Sequence, residues 1–412
     1  MSPATGANYD ERAATAIVTL IPKKGRGAPR NLGDRLLSVT YTDSGTRRST
    51  GIDVTLDNGD EELLYDEDLH KGAVLGLRYG YPGLMVDAGL FTMKEPRGSG
   101  RAGTYTINAG ERKRGKMARK KWSRVWDNTT RSNAVREVLS NHFPSNKIHV
   151  DDTQQILESI TQTEEHDWQF CFRQAQLAQF EFYVDENGAH WEAPRRSERP
   201  THLLRYVKGN IAAGQIKDYS FEGLGSGIPG RVKLSGIDAL TGKAFEVSVD
   251  KKTADNYVEL TETSGADSPD EGDQQEQGDI GYEIVRNTGA RSEAEARELA
   301  NHIFKENRYG AMKLTLQLVG DPTLRSRRVI LLSGLGTAFD GLWWLKSVNH
   351  TIGSGYTQEA NLTREGLAKR LKLRGRKKQQ QDMSLAEQLK YTARRVGGAE
   401  HQYYNASQYG VN

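Results

Sequence analysis

The sequence has 412 residues, 36% of them hydrophobic and 27% charged, with a formal net charge of +3. That length accommodates roughly two to four domains, and the near balance of charge excludes a chain that grips nucleic acid through overall basicity. Its single cysteine, Cys171, excludes an intrachain disulfide framework and a cysteine-based zinc site.

Cys171 lies among apolar residues and reads as a small buried hydrophobe. No apolar run approaches the ~20 residues of a membrane span. Met1–Asp10 has no apolar h-region, so no signal peptide and no membrane anchor are expected, and the chain is expected in a reducing cytoplasm. A mean hydropathy of -0.70 predicts small cores and burial completed in an oligomer.

In chain order, Ala13–Pro22 reads as a first strand, followed by a basic Gly/Pro-rich loop to Gly33. Leu36–Asp43 reads as a second strand with Leu37, Val39 and Tyr41 on one face. Ile52–Leu56 follows, closed by the turn Asp57-Asn58-Gly59. Val74–Tyr81 and Gly89–Glu95 flank Pro82-Gly83, and Tyr105–Ala109 is the last strand of the group. Short strands, turns and no long helix predict a small antiparallel barrel over residues 13–111.

Residues 112–129 carry a run of Arg and Lys from Arg112 to Arg124 and read as a basic connector. The run also suits phosphate binding, but only Trp122 and Trp126 interleave with it, a thin platform for stacking bases. From Thr130 the period becomes helical. Helices are predicted over Asn133–Phe143, capped by Ser132, over Asp152–Thr161, and over Glu164–Gln179. Phe180–Asp185 and Ala189–Glu192 form a hairpin about Glu186-Asn187-Gly188. Residues 130–200 thus read as an inserted α+β domain.

Residues 201–260 return to strand character in Leu203–Val207, Ile216–Glu222, Arg231–Asp238 and Ala244–Val249, and suit the start of a second barrel. Residues 261–282 read as an acidic mobile loop, since Thr261–Gly278 has Ala266 as its only apolar side chain and is expected not to offset its ordering entropy. Over 283–368, a helix Ser292–Asn307, capped by Ser292, precedes strands Met312–Val319, Val329–Gly334, Leu342–Val348 and Gln358–Thr363. Leu314, Leu316 and Leu318 share one face of the first of these, and Trp343 and Trp344 offer one indole to each side. Residues 369–412 form a basic tail suited to docking on a partner.

The chemistry-bearing patterns are weak. Gly225 to Gly230 matches G-x-G-x-x-G by letter, but Pro229 lies inside it and a strand follows, so it reads as a turn. His166-Asp167 and Asn349-His350 are the only suggestive histidine contexts. Glu164, Glu165 and Asp167 supply the residue types of an acid pair for glycoside cleavage, yet their spacing fits a solvated helix face. Catalytic, cofactor-binding and metal-binding residues are therefore expected to be none, and the chain is expected not to be an enzyme.

Four stretches together resemble the late control protein D family, the baseplate hub of contractile phage tails, whose architecture also occurs in the hub portion of type VI secretion spike proteins. They are Leu36–Asp43 with Ile52–Asp57; Gly76–Tyr81 with Gly89–Thr92; Asp167–Phe172 with Phe180–Gly188; and Leu316–Pro322 with Gly341–His350 and Gly355-Tyr356. The resemblance covers roughly Ala13 to Arg364. It implies a mainly β fold with an inserted α+β domain. It further implies a homotrimer whose two barrels per chain form a pseudo-hexameric ring, joining a sixfold tail tube to a threefold spike in the virion baseplate. Nothing after Arg364 resembles the family's OB-fold or β-helix, so the spike is expected to be a separate protein. The competing expectations are a peptidoglycan-degrading tail component and a nucleic-acid-binding protein acting through the basic segments; no specific nucleic acid is expected as a partner.

Overall fold

The computed structural model describes residues 14–22, 27–44, 50–185, 187–210, 213–223, 230–238, 241–255, 260, 283–287, 290, 292–336 and 338–365. The acidic segment 261–282, the tail 369–412 and all but the last residue of the Gly225–Gly230 motif lie outside them. The fold is mainly β, with antiparallel sheets dominant and an inserted α+β unit, as the sequence predicts.

Fourteen strands form one sheet. Its first block contains Thr15–Ile21, Arg30–Asn31, Leu36–Ser44, Gly51–Asp57, Val74–Tyr81, Leu84–Met93, Arg97–Ser99 and Thr104–Glu111. Their inward positions, among them Val18, Val39, Val54, Leu75, Tyr79, Phe91 and Ile107, are buried in one core. Period-two alternation makes this core: every second side chain leaves water, and the polar ones between stay wet. Leu37 departs from expectation. A register shift between Leu36 and Ser38 turns it outward, where it is 49% exposed, and Leu36 packs against the core instead.

The second block contains His202–Arg205, Ile216–Glu222, Met312–Val319, Arg328–Ser333, Gly341–Ile352 and Tyr356–Arg364. Leu314, Leu316 and Leu318 are buried together with Trp343, Ile330 and Leu362. Trp344 faces the other way, into a smaller cluster with Leu203, Leu260, Val329, Leu331 and Leu342. A parallel bridge between Tyr206 and Ile216 returns the strand path to its beginning.

Strands Arg231–Ile237 and Ala244–Asp250 do not join the second block. They form a separate three-stranded sheet with Glu283–Asn287, the last pairing parallel to the first. Helix Glu293–Tyr309 covers this sheet with Ala296, Ala300 and Phe304, and Ser292 caps it by accepting from the Glu295 amide at 3.2 Å.

The connector and the inserted unit differ from their sequence reading in four places. Residues 121–129, expected to connect, lie in strand Lys121–Thr130. The helix expected over Asp152–Thr161 is instead strand Ile156–His166, which pairs antiparallel with Lys121–Thr130. Its spacing of Ile156, Leu157 and Ile160 imitates a helical stripe. The β-branched run Ile160, Thr161, Thr163 and a partner strand decide for the ribbon, which buries Ile160 and Gln162 alternately. The next helix accordingly starts late, as Asp167–Ala178. Finally, helix Arg131–Ser140 is capped by Thr130, not Ser132; the Thr130 hydroxyl accepts from the Asn133 amide at 3.2 Å.

Candidate functional site

The most specific arrangement in the molecule is the seam between the two blocks. Strand Gly341–Ile352 is long enough to serve both. Its first residues pair with Arg328–Ser333, from Leu345↔Arg328 to Gly341↔Leu332. Its last residues pair with Leu36–Ser44, from Ser347↔Ser44 to Ile352↔Val39. A register shift between Leu345 and Ser347 on its other side marks the changeover. Ile352 and Tyr356 thereby enter the core of the first block although they come from the far end of the chain.

A polar lock sits beside this pairing. Asp43 is buried and accepts from the Ser326 amide (2.9 Å), the Ser326 hydroxyl (3.0 Å) and Arg327 Nη2 (3.1 Å). Burial alone would raise the Asp43 pKa, but the charges of Arg327 and Arg325 and the Ser326 hydrogen bonds outweigh it and hold it below the usual range. Arg327 also donates to the Ser44 carbonyl at 2.8 Å and lies 3.9 Å over the Tyr183 ring, so one guanidinium touches both blocks and the inserted unit.

Behind the lock, Tyr41, Tyr79, Phe91, His350, Tyr356 and Tyr81 form a continuous aromatic cluster across the seam. His350 Nδ1 accepts from the Tyr356 hydroxyl at 2.7 Å and the Gln358 amide at 2.8 Å. Burial pushes its pKa down to about 3, so the ring is neutral. The Tyr81 hydroxyl crosses to the Gly320 carbonyl at 2.9 Å. These hydrogen bonds lie in an apolar surround. That is the chemistry of a rigid joint.

The residues singled out by sequence are held in structural roles. Glu165 is clamped by Arg173 (2.8 Å), and Asp167 is bound by Arg124 (3.0 Å), His142 (2.8 Å) and Gln162 (2.9 Å). Glu164 is exposed with φ of 45°. The three carboxylates are thus not brought together over a common space. His166 is the N-cap of helix Asp167–Ala178. Cys171 is fully buried and its thiol is pushed well above the ordinary pKa by burial. In the basic run, the Trp122 ring is covered by Lys120 (3.7 Å) and Arg124 (4.5 Å), and Trp126 stacks on Phe170 at 5.0 Å. Among the described residues no group of three or more His, Cys, Asp or Glu is placed to hold a metal ion, and no helix is long and apolar enough to cross a membrane. Sequence reasoning missed Asp43, Ser326 and Arg327. The only signal was a carboxylate at an inward position of an alternating strand.

No family model matches the sequence, and no curated protein matches it. Solved structures do match. A tail protein from Neisseria meningitidis MC58 is similar over 86% of this chain and 98% of its own, with a TM-score of 0.61 and 10% identity. The fold is that of a tail protein. The prophage MuSo2 43 kDa tail protein from Shewanella oneidensis is similar over 85% of this chain and 99% of its own, with a TM-score of 0.59 and 11% identity. Prophage tail protein gp18 from Listeria monocytogenes EGD-e is similar over 84% of this chain and 94% of its own, with a TM-score of 0.51 and 10% identity.

Proposed function

We propose that this protein is a structural hub of a contractile-tail baseplate, of the late control protein D kind. Three copies form a ring in which each contributes two similar β-blocks. The resulting six positions match a sixfold tail tube on one side and a threefold spike, a separate protein, on the other. The observation that carries this reading is the shared strand Gly341–Ile352. It fixes the two blocks side by side in one hydrogen-bonded sheet, with no hinge between them. A symmetry adaptor needs that rigidity: the angle between its two halves sets the angle between neighbouring positions of the hexagon.

The fold shared with solved tail proteins supports the same reading. So does the dispersal of the acidic residues into separate ion pairs, which favours a load-bearing role over peptidoglycan cleavage. The site of action is the virion tail baseplate, after assembly in the bacterial host. The tail 369–412 then reaches another baseplate protein.

The test is cryo-electron microscopy of the purified protein together with its mass in solution. The expected result is a threefold annulus with six similar lobes and an obligate contact well above ~2,000 Å². A chain that stays monomeric, alone and with the spike protein added, overturns the proposal.

A further inference from the structure

We propose that the cleft where the two blocks meet the inserted unit binds a carboxylate-rich peptide segment of a partner protein. The cleft has a volume of about 500 Å³, within the ~300–1,000 Å³ of ligand-binding clefts. Arg112 and Lys116 reach it from the short helix Arg112–Met117, Tyr183 and Asp185 from the inserted unit, and Arg325 and Arg328 from the second block.

Charge selects the ligand. Five cationic side chains line the cleft against three carboxylates, Asp43, Glu111 and Asp185. Asp43 is already taken up by Ser326 and Arg327, and Asp185 by His190 at 3.0 Å. Arg112, Lys116 and Arg328 make no ion pair among the described residues. Carboxylates meeting these cations would form charge-assisted hydrogen bonds in a partly enclosed space.

The aromatic side chains select a peptide over a nucleic acid. Single-strand binders offer open rings to successive bases. Here Tyr183 is covered by Arg327 at 3.9 Å and by His190 at 4.6 Å. Tyr41 is packed against Tyr79 and His350 at 5.5 and 5.6 Å. What the cleft offers besides charge is Leu90, 41% exposed, an apolar contact that suits a side chain.

The proposal goes beyond the hub reading and does not depend on it, because every lining residue belongs to one chain. The test uses the full-length protein and fluorescein-labelled octaglutamate, with binding read by anisotropy at low salt. The variant R112E/K116E/R328E is expected to weaken binding about tenfold or more. R119E/K120E, which alters charge outside the cleft, is expected to leave it unchanged. The milder R112Q/K116Q/R328Q, checked for an unaltered melting curve, separates lost contacts from lost folding and is expected to weaken binding as well. The proposal is overturned if octaglutamate does not bind, or if both charge-reversal variants lose binding equally. It is also overturned if oligothymidylate displaces the labelled peptide at lower concentration than unlabelled octaglutamate does, which would make the cleft a nucleic-acid site.

Discussion

Asp43 and Arg327 stand 284 positions apart in sequence and 3.1 Å apart in space, carboxylate to guanidinium, at the junction of the two β-blocks. Neither is free to find water: the Asp43 side chain is 4% exposed and that of Arg327 12%. Removing one partner of such a pair leaves the other buried and uncompensated, whereas removing both is far milder. Asp43→Asn is therefore expected to destabilise the protein by about 3 kcal/mol. The double variant D43N/R327M should lose clearly less than the two single losses added together. Denaturant unfolding of all four proteins measures this, and additive losses would mean that the pair is not a lock.

Alkaline pH should weaken the inserted unit first. Burial by itself would lower the His190 pKa. Hydrogen bonds and charges from Asp185 and Glu192 outweigh burial and raise it from 6.5 to about 9. The folded state therefore keeps a proton that the unfolded chain gives up. This contribution is complete below pH 6.5 and disappears as pH rises through about 9. Glu192 acts in the opposite direction: its hydrogen bond with His190, opposed by burial, helps lower its pKa from 4.5 to about 2, so its contribution is lost on acidification through that window. Melting temperatures across pH should therefore include a fall between about 6.5 and 9 that depends on His190. His190→Asn should flatten the alkaline limb, and an unchanged limb would contradict the assignment.

Gly320 is expected to tolerate no side chain. A Cβ there would lie 2.2 Å from the Tyr356 ring, which is fully buried in the core of the first block. The same residue's carbonyl receives the Tyr81 hydroxyl. Gly320→Ala should cost about 1–3 kcal/mol through overpacking. Pairing it with Tyr356→Leu should recover part of that loss, which calorimetry on the single and double variants would read.

Arg196 is a planar spacer more than a point charge. Its guanidinium lies 3.6 Å over Tyr309 and 4.9 Å over Trp344, with Glu365 at 3.7 Å. Lysine keeps the charge but not the stacking plane. Arg196→Lys is expected to destabilise by about 1 kcal/mol, and Arg196→Met by more, because it also takes the positive charge away from the buried Glu365 carboxylate. If lysine proves neutral, the charge alone is what the site uses.

Periodicity is a property of neighbouring residues, and it made the local elements readable. Leu314, Leu316 and Leu318 announced a half-buried strand, Ser292 and Glu295 a helix start, and Asn187-Gly188 a hairpin, and each stands in the structure. The two tryptophans at 343 and 344 do divide between two clusters. By contrast, 156–161 carries apolar residues at a spacing that either secondary structure accepts. The strand Lys121–Thr130 beside it, together with the β-branched residues Ile160, Thr161 and Thr163, made it a ribbon.

By itself, then, the sequence determined a mainly β chain with an inserted α+β unit, because each strand or helix must bury one face and writes that need into consecutive side chains. Tertiary structure alone decided that Arg231–Ile237 and Ala244–Asp250 would leave the large sheet, that Gly341–Ile352 would belong to both blocks, and that Asp43 would meet Ser326 and Arg327. These are choices among partners hundreds of residues away. A strand presents nearly the same donors and acceptors to any neighbour, so its own residues cannot say which one it will take.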